Sequence, residues 1–198
     1  YPMTLNALTN GCNQKSNRRP VVDFDDKTVV RALDSLREKE LIRTVSGADQ
    51  RVPKYYHRFG ELLGFSASET AVLCVLMLRG PQTVGELKGR GNRLHEFTAL
   101  AEVESVLSGL ANREGGGVVL KLPRQPGLKE SRYAHLMAGE PPANDPEADS
   151  AEVAPEKATL EVRAENERIA ELGETVSQLR RQLDDLSRQF EEFRRQFE

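Results

Sequence analysis

Few residues in this chain have types and spacing suited to chemistry, and the first such group is a segment near its start. Residues 11–16, Gly-Cys-Asn-Gln-Lys-Ser, have the outline of the end of a phosphate-binding loop. Such a loop needs a glycine directly before the lysine and another five positions earlier, because its backbone amides must surround the phosphates. Gln14 and Thr9 occupy those positions here, so the sequence does not indicate a nucleotide site.

The histidines and cysteines lie singly along the chain. His57, His95 and His135 lack the short spacings at which metal ligands converge. Cys12 and Cys74 each lie in an apolar helical context, which is typical of a buried and reduced thiol. Since no serine or cysteine nucleophile has a base close to it in the sequence, we expect no enzymatic activity. We also expect no metal, no cofactor and no small-molecule ligand.

Basic residues in predicted turns and hairpins are the side chains best suited to bind a ligand, because they can neutralise phosphates. Residues 1–139 hold 20 Lys/Arg against 15 Asp/Glu, whereas residues 140–198 hold 8 against 16. A basic body with an acidic tail favours contact with a polyanion or with the tail itself, although ordinary solvated charge is the alternative. The candidates for contact with double-stranded DNA are Lys15, Arg18, Arg19, Arg43, Arg51, Lys54, Lys88, Arg90, Arg93, Arg124, Lys129 and Arg132.

The elements that must position these residues begin with a helix over residues 5–14, which a turn ending at Pro20 interrupts. Asp25 is suited to cap the next helix. Two strands, over residues 41–45 and 51–56, then flank a turn at residues 46–49. The apolar face of the second helix is marked by Val29, Val30, Leu33, Leu36 and Leu41.

The same order recurs between residues 61 and 139, this time after an additional helix. Ser66 with Glu69 and Thr83 with Glu86 form capping boxes that open two helices. Thr98 is suited to cap a third helix, which three glycines at residues 115–117 end. Strands over residues 118–122 and 131–136 complete the unit.

Three helices followed by a hairpin is the order of a winged helix. We therefore predict a mainly α fold with small β hairpins (α+β), with winged-helix domains at residues 1–60 and 61–139. The first copy lacks its opening helix, which we expect to precede Tyr1 in the native protein. If the opening helix is missing, the helix that contains Val29 and Leu33 would expose apolar surface or pack against the neighbouring copy.

A proline-rich acidic segment, residues 140–157, is predicted to be a disordered linker. The helix that follows, residues 158–198, repeats apolar residues at alternating steps of three and four, which is the heptad pattern of a coiled coil. The predicted seam consists of Ile169, Leu172, Val176, Leu179, Leu183, Leu186, Phe190, Phe193 and Phe197.

β-Branched residues at the first seam positions and leucines at the second favour a parallel dimer. The flanking positions carry no complementary charge pattern, so the tail can pair with itself in a homodimer or with a coiled-coil partner protein. Since the longest apolar run, residues 71–78, is too short to span a bilayer and no leader opens the chain, we expect a cytoplasmic protein without membrane contact.

The two helices that would enter the major groove are acidic. Asp23, Asp25 and Asp26 lie at the start of the first, and no Lys or Arg occurs in the second before Arg113. Carboxylates repel phosphates, so DNA contact through turns and wings, with weak sequence readout, is the prediction. The alternative is a scaffold whose winged helices bind protein.

Short motifs in a fixed order carry a family resemblance across residues 1–139. They include Tyr-Pro-Met-Thr-Leu-Asn-Ala-Leu at 1–8, Leu-Ile-Arg-Thr-Val-Ser-Gly at 41–47, Leu-Ala-Asn-Arg-Glu at 110–114 and Glu-Ser-Arg-Tyr at 130–133. In these motifs the chain resembles the bacterial YceH family. The resemblance implies tandem winged helices and brings no catalytic site. The family's opening helix is absent here, and the linker and heptad tail extend beyond the resemblance.

Overall fold

The computed structural model describes residues 2–45, 52–125, 127, 129–139 and 157–195. The chain divides into two compact units, Tyr1–Ala154 and Pro155–Glu198. In the described residues, helices dominate and the sheets are small and antiparallel, so the predicted fold class is confirmed. The predicted linker lies outside the described residues, apart from Lys157.

The first repeat, residues 3–57, consists of β1 (Met3–Thr4), α1 (Leu5–Cys12), α2 (Asp26–Glu38), β2 (Ile42–Val45) and β3 (Lys54–His57). β3 is the central strand of a sheet in the order β1-β3-β2. Thr4 caps α1 by accepting from the Ala7 amide, and Asp25 caps α2 by accepting from the Thr28 amide at 2.8 Å. The predicted Asp25 cap is therefore confirmed.

A short helix, α3 (Phe59–Leu63), leads into the second repeat, residues 67–135. This repeat consists of α4 (Ala67–Arg79), α5 (Val84–Gly91), α6 (Leu100–Ala111), β4 (Val119–Lys121) and β5 (Tyr133–His135). Both predicted capping boxes are present. In each, the Ser or Thr hydroxyl accepts from the amide three residues on, and the glutamate there accepts from the cap amide.

The two repeats share their strand register. Met3, before α1, lies opposite Tyr55, and Gln82, before α5, lies opposite Tyr133. At the other end of each hairpin, Ile42 lies opposite His57 and Val119 lies opposite His135. In each repeat, the segment just before the first of the two equivalent helices (α1 or α5) therefore pairs with the last strand of the hairpin (β3 or β5).

Both repeats also contain an asparagine whose side chain hydrogen-bonds the backbone ahead of the next helix. Asn13, directly after α1, exchanges two hydrogen bonds of 2.8 Å with the backbone of Phe24. Asn92, directly after α5, accepts from the Phe97 amide at 3.3 Å. In both repeats the asparagine thus fixes the chain just before the next helix, a shared feature that residue type and spacing did not predict.

The cores of the repeats differ in size. Among the described residues, eleven buried residues form the second core, and five of them come from α4: Ala71, Val72, Leu73, Val75 and Leu76. The first core contains only Val29, Leu33 and Ile42 as buried residues, with Leu5 and Phe24 among its partly buried neighbours. The helix α4 thus accounts for much of the difference.

The helix that contains Val29 and Leu33 exposes apolar side chains as predicted, at Val30 and Leu36, while Val29 and Leu33 themselves are buried. Two local predictions need correction. Leu41 lies outside the helix, which ends at Glu38. Thr98 does not cap α6. The cap position is Ala99, because the amide and hydroxyl of Thr98 both donate to Glu102.

The second unit contains the long helix α7 (Lys157–Arg195). From Ile169 to Phe193 the seam side chains are between 48% and 67% exposed, so about half or more of each is open to solvent. Phe197 lies outside the described residues. In the part of the chain that the structure describes, no helix combines the length and apolarity needed to cross a membrane.

Replacing Gly117 with alanine is expected to lower the free energy of unfolding by more than about 1 kcal/mol. A Cβ at this position would lie 2.4 Å from the carbonyl oxygen of Ala111, so the backbone that joins α6 to β4 must shift. Gly109→Ala is the control, because its Cβ meets nothing within 4 Å, and helix propensity predicts a gain of about 0.5–1 kcal/mol. Urea unfolding measures both. Equal effects of the two substitutions would contradict this packing.

The stability of the protein is expected to decline as the pH falls below about 6.5, through His135. Burial lowers the pKa of His135 from 6.5, and its Nδ1 has no hydrogen-bond partner in the described residues. The folded state therefore favours the neutral ring, while the unfolded chain binds the proton more readily.

Urea midpoints at about pH 7.5 and about pH 5.5 measure this dependence. His135→Gln should reduce the difference between the two midpoints. His57→Gln, at the equivalent and exposed position of the first repeat, should leave it unchanged. An unchanged difference in the His135 variant would contradict the assignment.

Candidate nucleic-acid interface

The basic candidates between α1 and α2 have different surroundings. Arg18 points inward, and its guanidinium donates to the Gly11 carbonyl at 2.6 Å and to the Asn17 carbonyl at 3.0 Å. The backbone amide of Arg19 donates to the Leu78 carbonyl at 2.8 Å, which joins this segment to the end of α4. Lys15 is exposed in the same segment.

Three candidates around α5 also bond to the protein. Lys88 donates to the Thr98 carbonyl at 3.1 Å, which links α5 to the start of α6. Arg132 donates to the Pro81 carbonyl at 3.1 Å. Arg90 donates to the side chain of Gln82 and pairs with Glu86 at 3.3 Å. These contacts hold the second repeat together, so the three cations have structural partners already.

The hairpin candidates that the structure describes lie on or beside the strands. The guanidinium of Arg43, on β2, lies 4.9 Å from the ring centroid of Tyr56. Lys54 opens β3 and is partly buried, while Arg51 lies outside the described residues. Arg124 and Lys129 are exposed between β4 and β5.

Four of the predicted cations are exposed and make no side-chain hydrogen bond, ion pair or cation–π contact within the described ranges: Lys15, Arg93, Arg124 and Lys129. Arg124 and Lys129 belong to one hairpin. They are the predicted candidates that can meet a polyanion without first breaking a contact inside the protein.

Arg79, at the end of α4, was not a candidate in the sequence analysis. Its guanidinium donates to the side-chain oxygen of Asn17, which bridges the two repeats. Burial lowers the pKa of Arg79, and so do the charges of Arg90, Arg18 and Arg93. We call these four side chains, Arg18, Arg79, Arg90 and Arg93, the arginine cluster. No sequence spacing could reveal it, because the loop between α1 and α2 and the region around α5 contribute to it from 61 or more positions apart.

The exposed surface at the start of α6 has a different character. Leu100 is 51% exposed, and the nearby Leu94 is 57% exposed. Glu102 accepts from Thr98 and lies 3.3 Å from the His95 ring. Hydrogen bonds from Thr98, followed by that from His95, lower the pKa of Glu102, so its carboxylate is held in the charged form. This surface is apolar and acidic, which suits a phosphate backbone poorly.

Neither cysteine has the environment of a reactive thiol. Cys12 and Cys74 are free and partly buried. Burial raises the pKa of both thiols, against a smaller opposing effect from Arg18. Thiolate is the nucleophilic form, so both side chains are weak nucleophiles at neutral pH. No group of three or more potential metal ligands occurs among the residues that the structure describes.

Comparison with known proteins identifies relatives across most of the chain. The family model described as "Protein of unknown function, DUF480" matches residues 1–128. A UPF0502 protein of Geobacter sulfurreducens is 54% identical over 173 residues, which cover 87% of this chain and 76% of that protein. Another, of Geotalea uraniireducens, is 56% identical over 176 residues, which cover 88% and 77%. A third, of Photobacterium profundum, is 47% identical over 178 residues, which cover 88% and 79%.

The family model spans well over half of the chain and lies on both repeats. The relatives extend the match beyond residue 128 and all come from bacteria. This chain therefore belongs to the bacterial DUF480 family of UPF0502 proteins.

Proposed function

We propose that the chain is a DNA-binding protein built from two winged helices and that it acts in transcriptional regulation. The observation that carries the proposal is the strand register that the two repeats share. Met3, just before α1, pairs with β3, and Gln82, just before α5, pairs with β5. A helix-turn-helix closed by a hairpin in this way is the arrangement of a winged helix. The motifs that resemble the YceH family support the same architecture.

DNA contact is proposed to run through the turns and the second hairpin. In related helix-turn-helix proteins the second helix of the motif enters the major groove. Here α6 offers Leu100 and a charged Glu102 at its start, so it lacks the cations that hold a duplex. Lys15, Arg124 and Lys129 are exposed and available to phosphates, which favours backbone contact with weak sequence readout.

Neutralising Lys15, Arg124 and Lys129 together with glutamine should weaken binding to duplex DNA by tenfold or more at low salt. The plot of log affinity against log salt should also become shallower by about 0.9 for each lost phosphate contact, because fewer counterions are released. Fluorescence anisotropy of a labelled duplex, titrated at several salt concentrations, measures both quantities.

The matched control neutralises three exposed cations of α7, Arg163, Arg181 and Arg195, which lie away from the apolar seam. It removes the same charge from the chain and should leave the slope unchanged. If the unmodified protein fails to bind duplex at low salt, DNA binding is excluded. Equal losses in the two triple variants would contradict a role for the wing.

We further propose that α7 pairs with a second copy of itself as a parallel coiled coil. The support is the continuous exposed seam from Ile169 to Phe193 on a helix whose heptad register does not break. Burying a leucine that is exposed in a single helix favours association by about 1.5–3 kcal/mol per side chain. Pairing would give DNA four repeats instead of two.

Replacing Leu179 and Leu186 with glutamate is expected to turn the dimer into a monomer, because four carboxylates would face one another in the seam. The control replaces Arg181 and Arg188, on the opposite face of the helix, with glutamate and should leave the dimer intact. Sedimentation equilibrium measures the mass of each protein. A monomeric unmodified protein would contradict self-pairing and would favour a coiled-coil partner protein instead.

A second candidate function is that of a protein-binding scaffold. It is favoured by the exposed leucines Leu94 and Leu100 beside the acidic start of α6. Apolar side chains with a polar rim are typical of protein interfaces. If DNA binding fails at low salt while the protein stays folded and dimeric, this function is the one to pursue.

A further inference from the structure

The arginine cluster lies where the two repeats meet. Asn17 connects two of its members, because its carbonyl accepts from Arg18 and its side-chain oxygen accepts from Arg79. Gln82 connects the next pair, since its side-chain nitrogen donates at 3.2 Å to the Arg79 carbonyl and its oxygen accepts from Arg90. A continuous set of hydrogen bonds therefore runs from the segment after α1 to α5.

The acceptors in this set are mostly neutral. Carbonyl and amide oxygens orient Arg18 and Arg79, but they carry no charge with which to offset a guanidinium. The carboxylate that contributes to the field at Arg79 is Glu86, and it pairs with Arg90 at 3.3 Å. Among the described residues, the charges that act on the Arg79 guanidinium are those of three other arginines and one carboxylate, so positive charge prevails there.

One member of the cluster retains donors that a ligand can reach. Arg93 is exposed and makes no side-chain hydrogen bond or ion pair in the described residues. The guanidinium of Arg18 is instead held inside by its carbonyl acceptors, and its Nε is shielded from solvent. Arg79 is partly exposed, and the positive charges of Arg90, Arg18 and Arg93 act on its guanidinium.

We propose that the arginine cluster is a phosphate-binding site at the junction of the repeats. Guanidinium groups bind phosphate through paired N–H donors, and convergent arginines are suited to an anion with two charges. The phosphate is either part of a duplex backbone, a source that rests on the proposed function, or belongs to a small phosphate-bearing molecule. In both cases the anion relieves the repulsion and tightens the contact between the repeats.

This site differs from the hairpin surface in how it is built. Arg124 and Lys129 extend from one loop, whereas the cluster combines the end of α4, the region around α5 and the segment before α2. The Arg19 amide donates to the Leu78 carbonyl at 2.8 Å and holds that segment against α4. Phosphate binding at the cluster therefore depends on the contact between the two repeats.

The test uses the full chain with Arg79 and Arg93 both replaced by glutamine. The matched control, called the α7 control, replaces Arg163 and Arg181 of α7 with glutamine, because it removes the same two charges from exposed positions that do not belong to the cluster. Circular dichroism confirms that each variant is folded before binding is measured.

In the first arm, inorganic phosphate is added at constant ionic strength, with chloride as the reference. Binding should raise the Tm of the unmodified protein and of the α7 control by about 2–4 °C more than that of the Arg79/Arg93 double variant. The general stabilising effect of phosphate on proteins acts on all three and cancels in this comparison. In the second arm, anisotropy of labelled duplex DNA should show a salt slope shallower by about 1–2 in the double variant.

The outcomes separate the two sources. A shallower salt dependence of DNA binding in the double variant assigns the site to the duplex backbone, whether or not free phosphate stabilises the protein. Phosphate stabilisation that needs the two arginines, without an effect on DNA, assigns it to a small molecule. That assignment stands even if the unmodified protein binds no DNA and the proposed function fails. If the double variant matches the unmodified protein in both arms, the phosphate site is overturned, whereas DNA binding through the hairpin is not. An α7 control that loses as much as the Arg79/Arg93 double variant also overturns the site.

Discussion

The packing of α4 across α5 and α6 is the constraint on which the rest of the first unit depends. Leu73 and Leu76 of α4 are fully buried with Leu87 of α5 and Leu107 of α6. Burial of each such side chain contributes about 1.5–3 kcal/mol, so this contact fixes the directions of three helices. The Gly80 amide closes the last turn of α4 by donating to the Leu76 carbonyl at 2.9 Å, and that turn carries both Arg79 and the Leu78 carbonyl that accepts from the Arg19 amide.

The positive charge of the first unit divides into two classes with different consequences. Arg18, Lys88 and Arg132 donate to backbone carbonyls, so their charges are fixed in position and stabilise turns and helix connections. Arg93, Arg124 and Lys129 extend into solvent. A binding surface built from the second class needs no rearrangement of the fold. The cluster around Arg79 combines the two classes, because hydrogen bonds orient its arginines without neutralising them.

Local signals made much of the fold predictable. The capping boxes at Ser66 and Thr83 and the Asp25 cap identify helix starts because each satisfies backbone amides that the helix leaves unpaired. Thr98 shows where this reasoning fails. Its hydroxyl was available to cap α6, but Glu102 binds it together with its amide, so the helix starts one residue later. Competition between two nearby partners depends on geometry that residue type does not encode.

The sequence by itself determined the order of helices and hairpins, the repetition of that order and the apolar seam of α7, since periodicity and caps act over a few residues. Only the tertiary structure decided which cations are held and which are exposed. It also brought Arg79 to Arg18, 61 positions away in the chain, and paired Asn13 and Asn92 with Phe24 and Phe97. The physical reason is that electrostatic and hydrogen-bond partners are chosen by distance in space, which the packing of the helices sets.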